Sequence, residues 1–145
     1  MATKILIIDD EIGICETLAD YLEDDIDIIL TANNGLEALK VYEKEKPFDC
    51  IICDINMPIM NGVEFIKAIR EKNDNTNFIF FTGHGTRELM SEAVKYGAFD
   101  FIYKPSFDNL FETINAAIDH KHETNTQNSE KILSEYKKIL NISKE

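Results

Sequence analysis

Carboxylates follow short apolar runs at two places in the sequence, in IIDDE (residues 7–11) and in CIICD (residues 50–54). A carboxylate that is buried without a partner is energetically costly. Asp54 must therefore lie at a site open to water, or its charge must be compensated by another group. Thr82 and Lys104 also directly follow apolar runs, NFIFF and FDFIY. If the fold gathers these residues, the carboxylates would repel one another unless a cation lies between them, and hard oxygen ligands suit Mg²⁺.

The elements that must position these residues alternate between two hydrophobic patterns. Short β-rich runs predict strands over residues 4–9, 27–32, 50–54, 77–82 and 99–103. Helical spacing of apolar residues predicts helices over residues 11–24, 35–46, 61–72, 88–96 and 106–120. The apolar stripe of the first helix is predicted to contain Ile12, Cys15, Leu18, Ala19 and Leu22, and that of the second to include or adjoin Leu36, Leu39, Val41 and Tyr42.

Five strands, each followed by a helix, predict an α/β fold with right-handed crossovers and a parallel sheet that helices cover on both faces. We expect a flavodoxin-like, doubly wound sheet in the common order 2-1-3-4-5, in which the first and third strands are neighbours. Ligand sites in such sheets form outside the carboxyl ends of the strands. The order therefore predicts that Asp9 and Asp10 converge on Asp54. The alternative for Asp9 and Asp10 is that they are acids favoured by a helix N-terminus, which is the interpretation preferred for Glu11.

Cys50 and Cys53 form a C-x-x-C sequence, which is typical of some zinc and redox sites. Here the sequence predicts a strand, where positions three apart point to opposite faces of the sheet, so the two sulfurs cannot share a ligand. Three widely placed cysteines fit a reducing cytoplasm better than a disulfide scaffold.

Composition limits the remaining functions. A chain of 145 residues, 44% of them hydrophobic, is long enough for one domain with a core. The net charge of −12 argues against direct nucleic-acid binding, which needs clustered Lys and Arg. We expect no membrane segment, because no apolar run approaches the roughly 20 residues that a span requires. The N-terminus also lacks the pattern of a signal peptide, so we expect a cytoplasmic location.

Four motifs occur in one order: IIDDE, D-x-x-M-P-x-x-N-G from Asp54 to Gly62, T-G at Thr82, and Y-K-P around Lys104. Together they make residues 3–120 resemble the receiver domain of bacterial response regulators, the family of the chemotaxis-regulator-like domains of two-component systems. The resemblance implies that Asp54 accepts a phosphoryl group from a histidine kinase or a histidine phosphotransfer protein. It also implies Mg²⁺ bound by Asp54, Asp10, Asp9 (directly or through water) and the backbone carbonyl of Asn56.

The same resemblance assigns roles to residues after the fourth and fifth strands. It implies that the Thr82 hydroxyl hydrogen-bonds the phosphoryl group and that the Lys104 ammonium pairs with it. Phe101 stands where the family often has a switching tyrosine, so it is either a switch residue with Thr82 or a simple core aromatic. Activation would alter the face of helix four, strand five and helix five, where a homodimer could form. Residues 105–119 contain no Lys or Arg, which argues against one charge-paired form of that dimer.

We predict a receiver domain over residues 1–122, followed at 123–145 by a polar linker and a short amphipathic helix that could lead to an output domain. The resemblance further implies a cis Lys104–Pro105 bond, and His84 is interpreted as a surface residue near the site. Met57-Pro58 and Asn61-Gly62 are expected to shape the turn into helix three, with Gly62 chosen for its conformational freedom. One alternative is an aspartate-nucleophile phosphatase, which would need a second Asp where Asn56 stands. Another is a pseudo-receiver that binds partners but takes no phosphate.

Overall fold

The computed structural model describes residues 2–83, 86–104 and 109–119 of the chain. Its strands are β1 (Lys4–Ile8), β2 (Ile28–Ala32), β3 (Cys50–Cys53), β4 (Phe78–Thr82) and β5 (Asp100–Tyr103). Its helices are α1 (Ile12–Leu22), α2 (Gly35–Glu45), α3 (Gly62–Glu71), α4 (Arg87–Lys95) and α5 (Leu110–Asp119). Strands and helices therefore alternate along the chain as the sequence predicts, and the ends of the first nine elements differ from the predicted ones by two residues at most.

The five strands form one parallel sheet in the order β2-β1-β3-β4-β5. The predicted flavodoxin-like arrangement is thus confirmed. In the pairing of β1 with β3, Ile8 lies opposite Cys53, so the two strands end at the same level. This register places the residues that follow each strand, Asp9 and Asp54, side by side.

Two apolar clusters cover the two faces of the sheet. Buried residues of α1 and α5 pack on one face, with Cys50, Ile5 and Ile7 of the sheet. Buried residues of α2, α3 and α4 pack on the other face, with Cys53. Cys50 and Cys53 consequently belong to opposite faces, which confirms that their C-x-x-C spacing forms no shared sulfur site.

One predicted core position, Ile12, is wrong, and Leu36, predicted to be in or beside the apolar face of its helix, lies outside that face. Ile12 is 61% exposed and Leu36 is 45% exposed. Each lies in the first turn of its helix, at the carboxyl ends of the strands, where the sheet offers less surface to pack against. The remaining stripe of α1 is buried through Cys15, Leu18 and Leu22 as expected.

Several predictions concern parts of the chain outside the described residues. These are the start of the last helix near residue 106, the cis Lys104–Pro105 bond, the position of His84, and the linker and helix at 123–145. Within the described ranges, no helix has both the length and the apolar character that crossing a bilayer would require.

Candidate functional site

The predicted acidic residues meet at the carboxyl ends of β1 and β3. The backbone N–H of Asp54 donates to the carbonyl of Ile8 at 2.9 Å, which extends the strand pairing by one step. Asp9 and Asp54 are buried (2% and 6% exposed), whereas Asp10 is exposed. One carboxylate oxygen from each of these three residues lies within 4.8 Å of the others. The convergence that the strand order predicts is therefore present in the structure.

Lys104 supplies a positive charge to this cluster. Its Nζ lies 2.7 Å from Asp9 Oδ2 and 3.3 Å from Asp54 Oδ2. Its backbone N–H donates to the carbonyl of Thr82 at 3.1 Å, so the ends of β4 and β5 fix the position from which the lysine reaches the acids. Asp54 is thus a mostly buried carboxylate with a compensating ammonium.

The ionisation of the cluster follows from its burial. Burial raises the pKa of Asp9 to about 6, and the charge of Asp54 adds to this effect. Hydrogen bonds from Lys104 and from the backbone N–H of Glu11 oppose it. Burial alone would lower the pKa of Lys104, but the hydrogen bond to Asp9 and the charges of Asp54 and Asp9 hold this pKa above its ordinary value. At neutral pH the lysine is therefore charged, and its ammonium is shared between the carboxyl groups of Asp9 and Asp54.

A cavity of about 540 Å³ opens above these side chains and gives the site access to solvent; it is lined by Asp10, Glu11, Ile14, Asp54, Asn56, Gly83 and Lys104. The backbone N–H of Asn56 donates to Asp54 Oδ1 at 3.4 Å, a long hydrogen bond that keeps the following loop close to the carboxylate. Thr82 ends β4 and is only 1% exposed. The Thr82 carbonyl accepts from the backbone N–H of Lys104, which places Thr82 beside the site. The residues that line the cavity do not include Thr82.

The loop after Asp54 has a specific steric requirement. Asn61 caps α3 through a capping box with Glu64: its side chain accepts from the Glu64 N–H, and the Glu64 side chain accepts from the Asn61 N–H. A Cβ on Gly62 would lie 2.3 Å from the carbonyl oxygen of Asp54. Conformational freedom is therefore not the whole reason for a glycine at position 62. The close approach of α3 to the Asp54 backbone also excludes any side chain there.

Phe101 lies on β5 and is half-buried. Its ring stacks on that of Phe80, with centroids 5.6 Å apart and an angle of 21° between the ring planes. It packs against the cluster that α2, α3 and α4 cover. In this arrangement Phe101 makes the contacts of a core aromatic. Its side chain is only half-buried, so a movement further inward, as a switch role would require, is compatible with the structure.

Sequence reasoning missed one charged contact. The sequence predicts that Glu11 is an acid at the start of a helix, and it does occupy the N-cap position of α1. Its side chain makes no capping hydrogen bond, and its Oε1 lies 3.8 Å from Lys104 Nζ. The sequence signal for this contact is the position of Glu11 directly after IIDD. An acid that follows two other acids at the end of a strand can reach the same ammonium group as they do.

The residues present fit a magnesium ion. The donor set consists of carboxylate oxygens from Asp9, Asp10 and Asp54, which are close enough together to share one ion. Hard oxygen donors at a water-accessible cavity are what Mg²⁺ prefers, because it retains several of its waters when bound.

Comparisons with known proteins identify the family to which this chain is similar. Residues 5–115 match the family model described as the response regulator receiver domain. The transcriptional regulatory protein ZraR of Klebsiella oxytoca is 38% identical over 117 residues, which are 80% of this chain and 26% of that protein. The chemotaxis protein CheY of Listeria monocytogenes is 35% identical over 116 residues, which are 79% of this chain and 97% of that protein.

The solved structures give the same result. A response regulator receiver domain protein from Clostridium thermocellum is 34% identical and superposes with a TM-score of 0.75 over 82% of this chain and 96% of that chain. The present chain thus spans about a quarter of the length of ZraR and nearly all of the CheY protein.

Proposed function

Because the chain belongs to the receiver domain family of response regulators, the signalling domains of two-component systems, we propose that Asp54 is its phosphoacceptor. The phosphoryl group would come from the phosphohistidine of a histidine kinase or of a histidine phosphotransfer protein. The observation that supports this assignment most strongly is the environment of the Asp54 carboxylate: it borders an open cavity, lies 3.3 Å from Lys104 Nζ, and shares the site with two further aspartates.

The proposed transfer is a nucleophilic substitution at phosphorus. An oxygen of the ionised Asp54 carboxylate forms the new P–O bond, and the P–N bond of the phosphohistidine breaks. The electron pair of that bond stays on the imidazole nitrogen that held the phosphorus. The other ring nitrogen carries a proton during the transfer, so the leaving group is a neutral imidazole. The product is an acyl phosphate on Asp54, and no oxidant or reductant takes part.

The residues around Asp54 act by positioning and by charge. Lys104 is placed by β5 and already contacts Asp54, so its ammonium can pair with a phosphoryl oxygen bonded to that carboxylate. The Thr82 hydroxyl, one strand away at the end of β4, is the proposed hydrogen-bond donor to another phosphoryl oxygen. Asp9, Asp10, Asp54 and the carbonyl of Asn56 would hold Mg²⁺, which when bound supplies charge neutralisation for the phosphoryl oxygens.

The proposed output of phosphorylation is a repacking of the face formed by α4, β5 and α5. Thr82 would move toward the phosphoryl group, and Phe101 would turn inward into the space that this movement leaves. The face would then have an inactive and an active arrangement. The phosphoryl group would favour the active one through contacts that it makes only in that arrangement. A partner or a second copy of the chain would bind the altered face, and residues 123–145 would connect it to whatever output it controls.

The test is the intact mass of the chain after incubation with acetyl phosphate, with Mg²⁺ or with EDTA. The wild type should gain one phosphoryl group with Mg²⁺ and far less with EDTA. Asp54→Asn should gain none, because an amide is a poor nucleophile. Asp20→Asn, which removes an exposed carboxylate of α1, is the matched control and should behave as the wild type.

Two results would contradict the proposal. Phosphorylation of Asp54→Asn at the wild-type rate would place the acceptor elsewhere. A wild-type chain that binds Mg²⁺ but never gains a phosphoryl group from any donor would favour the alternative, a pseudo-receiver that only binds partners.

A further inference from the structure

Arg70, in the last turn of α3, joins three segments of the chain through its guanidinium group. Nη1 donates to the carbonyls of Asp74 and Thr76, at 2.9 and 2.8 Å, in the loop that leads to β4. Nε donates to the carbonyl of Tyr96 at 2.7 Å, and Nη2 donates to that of Gly97 at 3.3 Å. Two of these four acceptors therefore belong to the end of α4, which lies next to the face proposed to change on phosphorylation.

The end of α4 is built to present these carbonyls. Gly97 has a φ of 79°, the left-handed conformation that commonly terminates helices. The N–H of Gly97 donates to the carbonyl of Val94 at 3.0 Å, and that of Ala98 donates to the carbonyl of Ala93 at 3.2 Å. This is the hydrogen-bond pattern of a Schellman motif, which turns the chain sharply and leaves the carbonyls of Tyr96 and Gly97 available to Arg70.

The guanidinium is held firmly in this position. Its Cζ lies 5.2 Å from the ring centroid of Phe78, a core residue at the start of β4. Burial lowers the pKa of Arg70 to about 10, so the group remains charged at neutral pH. A charged donor next to the negative end of the α4 dipole is favourable, and a planar fork can bond several carbonyls at once, which a lysine cannot do.

The two ends of α4 differ in how they are held. At the N-terminal end, the side chain of Thr86 caps the helix by accepting from the N–H of Leu89, and residues 86–88 are exposed. That end continues the chain from Thr82 and Gly83 at the phosphorylation site. At the C-terminal end, Arg70 connects α4 to α3. Gly62, the first residue of α3, packs against the backbone of Asp54. It lies about 12 Å from Arg70 along the axis of α3.

We propose that Arg70 is a positioning residue that fixes the C-terminal end of α4 to α3. Phosphorylation of Asp54 then moves the N-terminal turn of α4 and leaves its last turn in place. The direction of the switching motion is set by this anchor, which makes α4 pivot rather than slide. The inference rests on the proposed function for its trigger, but the anchor itself is a property of the unphosphorylated chain.

The experiment compares backbone amide NMR spectra of the full chain before and after addition of Mg²⁺ and beryllium fluoride, a stable analogue of an acyl phosphate. In the wild type, chemical-shift changes within α4 should be several-fold larger at residues 87–89 than at residues 95–98. In Arg70→Lys, which keeps the charge but loses the fork, the changes should extend through residues 95–98. Lys67→Ala, an exposed residue of the same helix, is the matched control and should reproduce the wild-type pattern.

A merely structural arginine would lower stability without changing where along α4 the response falls, so an unchanged pattern in Arg70→Lys would overturn the inference. Equal shift changes along the whole of α4 in the wild type would also overturn it, whether or not any variant folds.

Amide hydrogen exchange of the unphosphorylated chain tests the anchor without relying on phosphorylation of Asp54. Arg70→Lys should speed exchange of the amides at 96–98 by about tenfold, with little change in α1. If the analogue produces no shifts at the site, the proposed function fails, and the exchange rates alone decide whether Arg70 anchors α4. Unchanged exchange at 96–98 would then contradict the anchor.

Discussion

The contact between Gly62 and Asp54 predicts that one added methyl group damages both the stability and the function of this protein. In Gly62→Ala the new Cβ would lie 2.3 Å from the Asp54 carbonyl oxygen, 3.0 Å from Cε1 of Phe80 and 3.1 Å from the Asp54 carbonyl carbon. Two of these atoms are backbone, which cannot rotate away, so α3 or the end of β3 must move. Overpacking of this kind costs about 1–3 kcal/mol.

The matched control is Gly13→Ala in α1. A Cβ on Gly13 meets nothing within 4 Å, and the residue is exposed. Alanine at an unhindered helical position stabilises a protein by about 0.4–1 kcal/mol, chiefly by restricting the unfolded chain. The same chemical substitution should therefore have opposite signs at two helix starts that differ only in what surrounds them.

Urea unfolding followed by circular dichroism measures both effects. With a denaturant slope of about 2 kcal/mol/M, a loss of about 2 kcal/mol lowers the unfolding midpoint of Gly62→Ala by about 1 M. Gly13→Ala should raise the midpoint by a few tenths of a molar. Because the Asp54 backbone must shift, Gly62→Ala should also slow phosphorylation by acetyl phosphate, while Gly13→Ala should leave it unchanged. Equal midpoints for Gly62→Ala and the wild type would refute the steric reasoning.

Substitutions at three other residues, Asp10, Asp74 and Phe101, test further parts of the site and the fold. Asp10→Ala should weaken Mg²⁺ binding strongly in a calorimetric titration, because it removes one of few protein oxygens on the ion, and unchanged affinity would exclude Asp10 as a ligand. Burial alone would raise the pKa of Asp74, but hydrogen bonds from Thr76 and Tyr42 hold it below its ordinary value. Its ionised form thus stabilises the fold above about pH 4, and this contribution is lost as the pH falls through the lowered pKa. Asp74→Asn should therefore be less stable than the wild type at neutral pH, with a difference in unfolding free energy that shrinks on acidification; a constant difference would contradict the pKa direction. Phe101→Tyr adds a hydroxyl able to form a hydrogen bond worth about 1 kcal/mol and should change self-association after phosphorylation; identical self-association of the wild type, Phe101→Tyr and Phe101→Ala would leave this residue a core aromatic only.

The sheet and its order were predictable because their determinants are local. Near-continuous apolar runs identify buried parallel strands, and their alternation with helical spacing leaves few topologies. Once the order is fixed, residues such as Asp9 and Asp54 must be neighbours, since each follows a strand that ends at the same edge. The opposite faces of Cys50 and Cys53 follow from the two-residue period of a strand in the same way.

Other features depend on distances that no local pattern encodes. Ile12 and Leu36 have the spacing of core residues, but they lie in first turns that the sheet covers poorly. Gly62 resembles any turn glycine until α3 is placed against the Asp54 carbonyl. The four carbonyls that Arg70 contacts come from two loops far apart in sequence, and an arginine near the end of a helix is ordinarily a surface residue. Tertiary packing therefore decides what these residues do.

Identification of the phosphorylated residue tests the central claim most directly. The chain would be phosphorylated with acetyl phosphate and Mg²⁺, reduced with borohydride, which converts an aspartyl phosphate to homoserine, and mapped by peptide mass spectrometry. We expect homoserine at position 54 and unmodified aspartate at positions 9 and 10. Homoserine at another aspartate, or a phosphoryl group that resists reduction because it is bonded to a hydroxyl or an imidazole, would contradict this expectation.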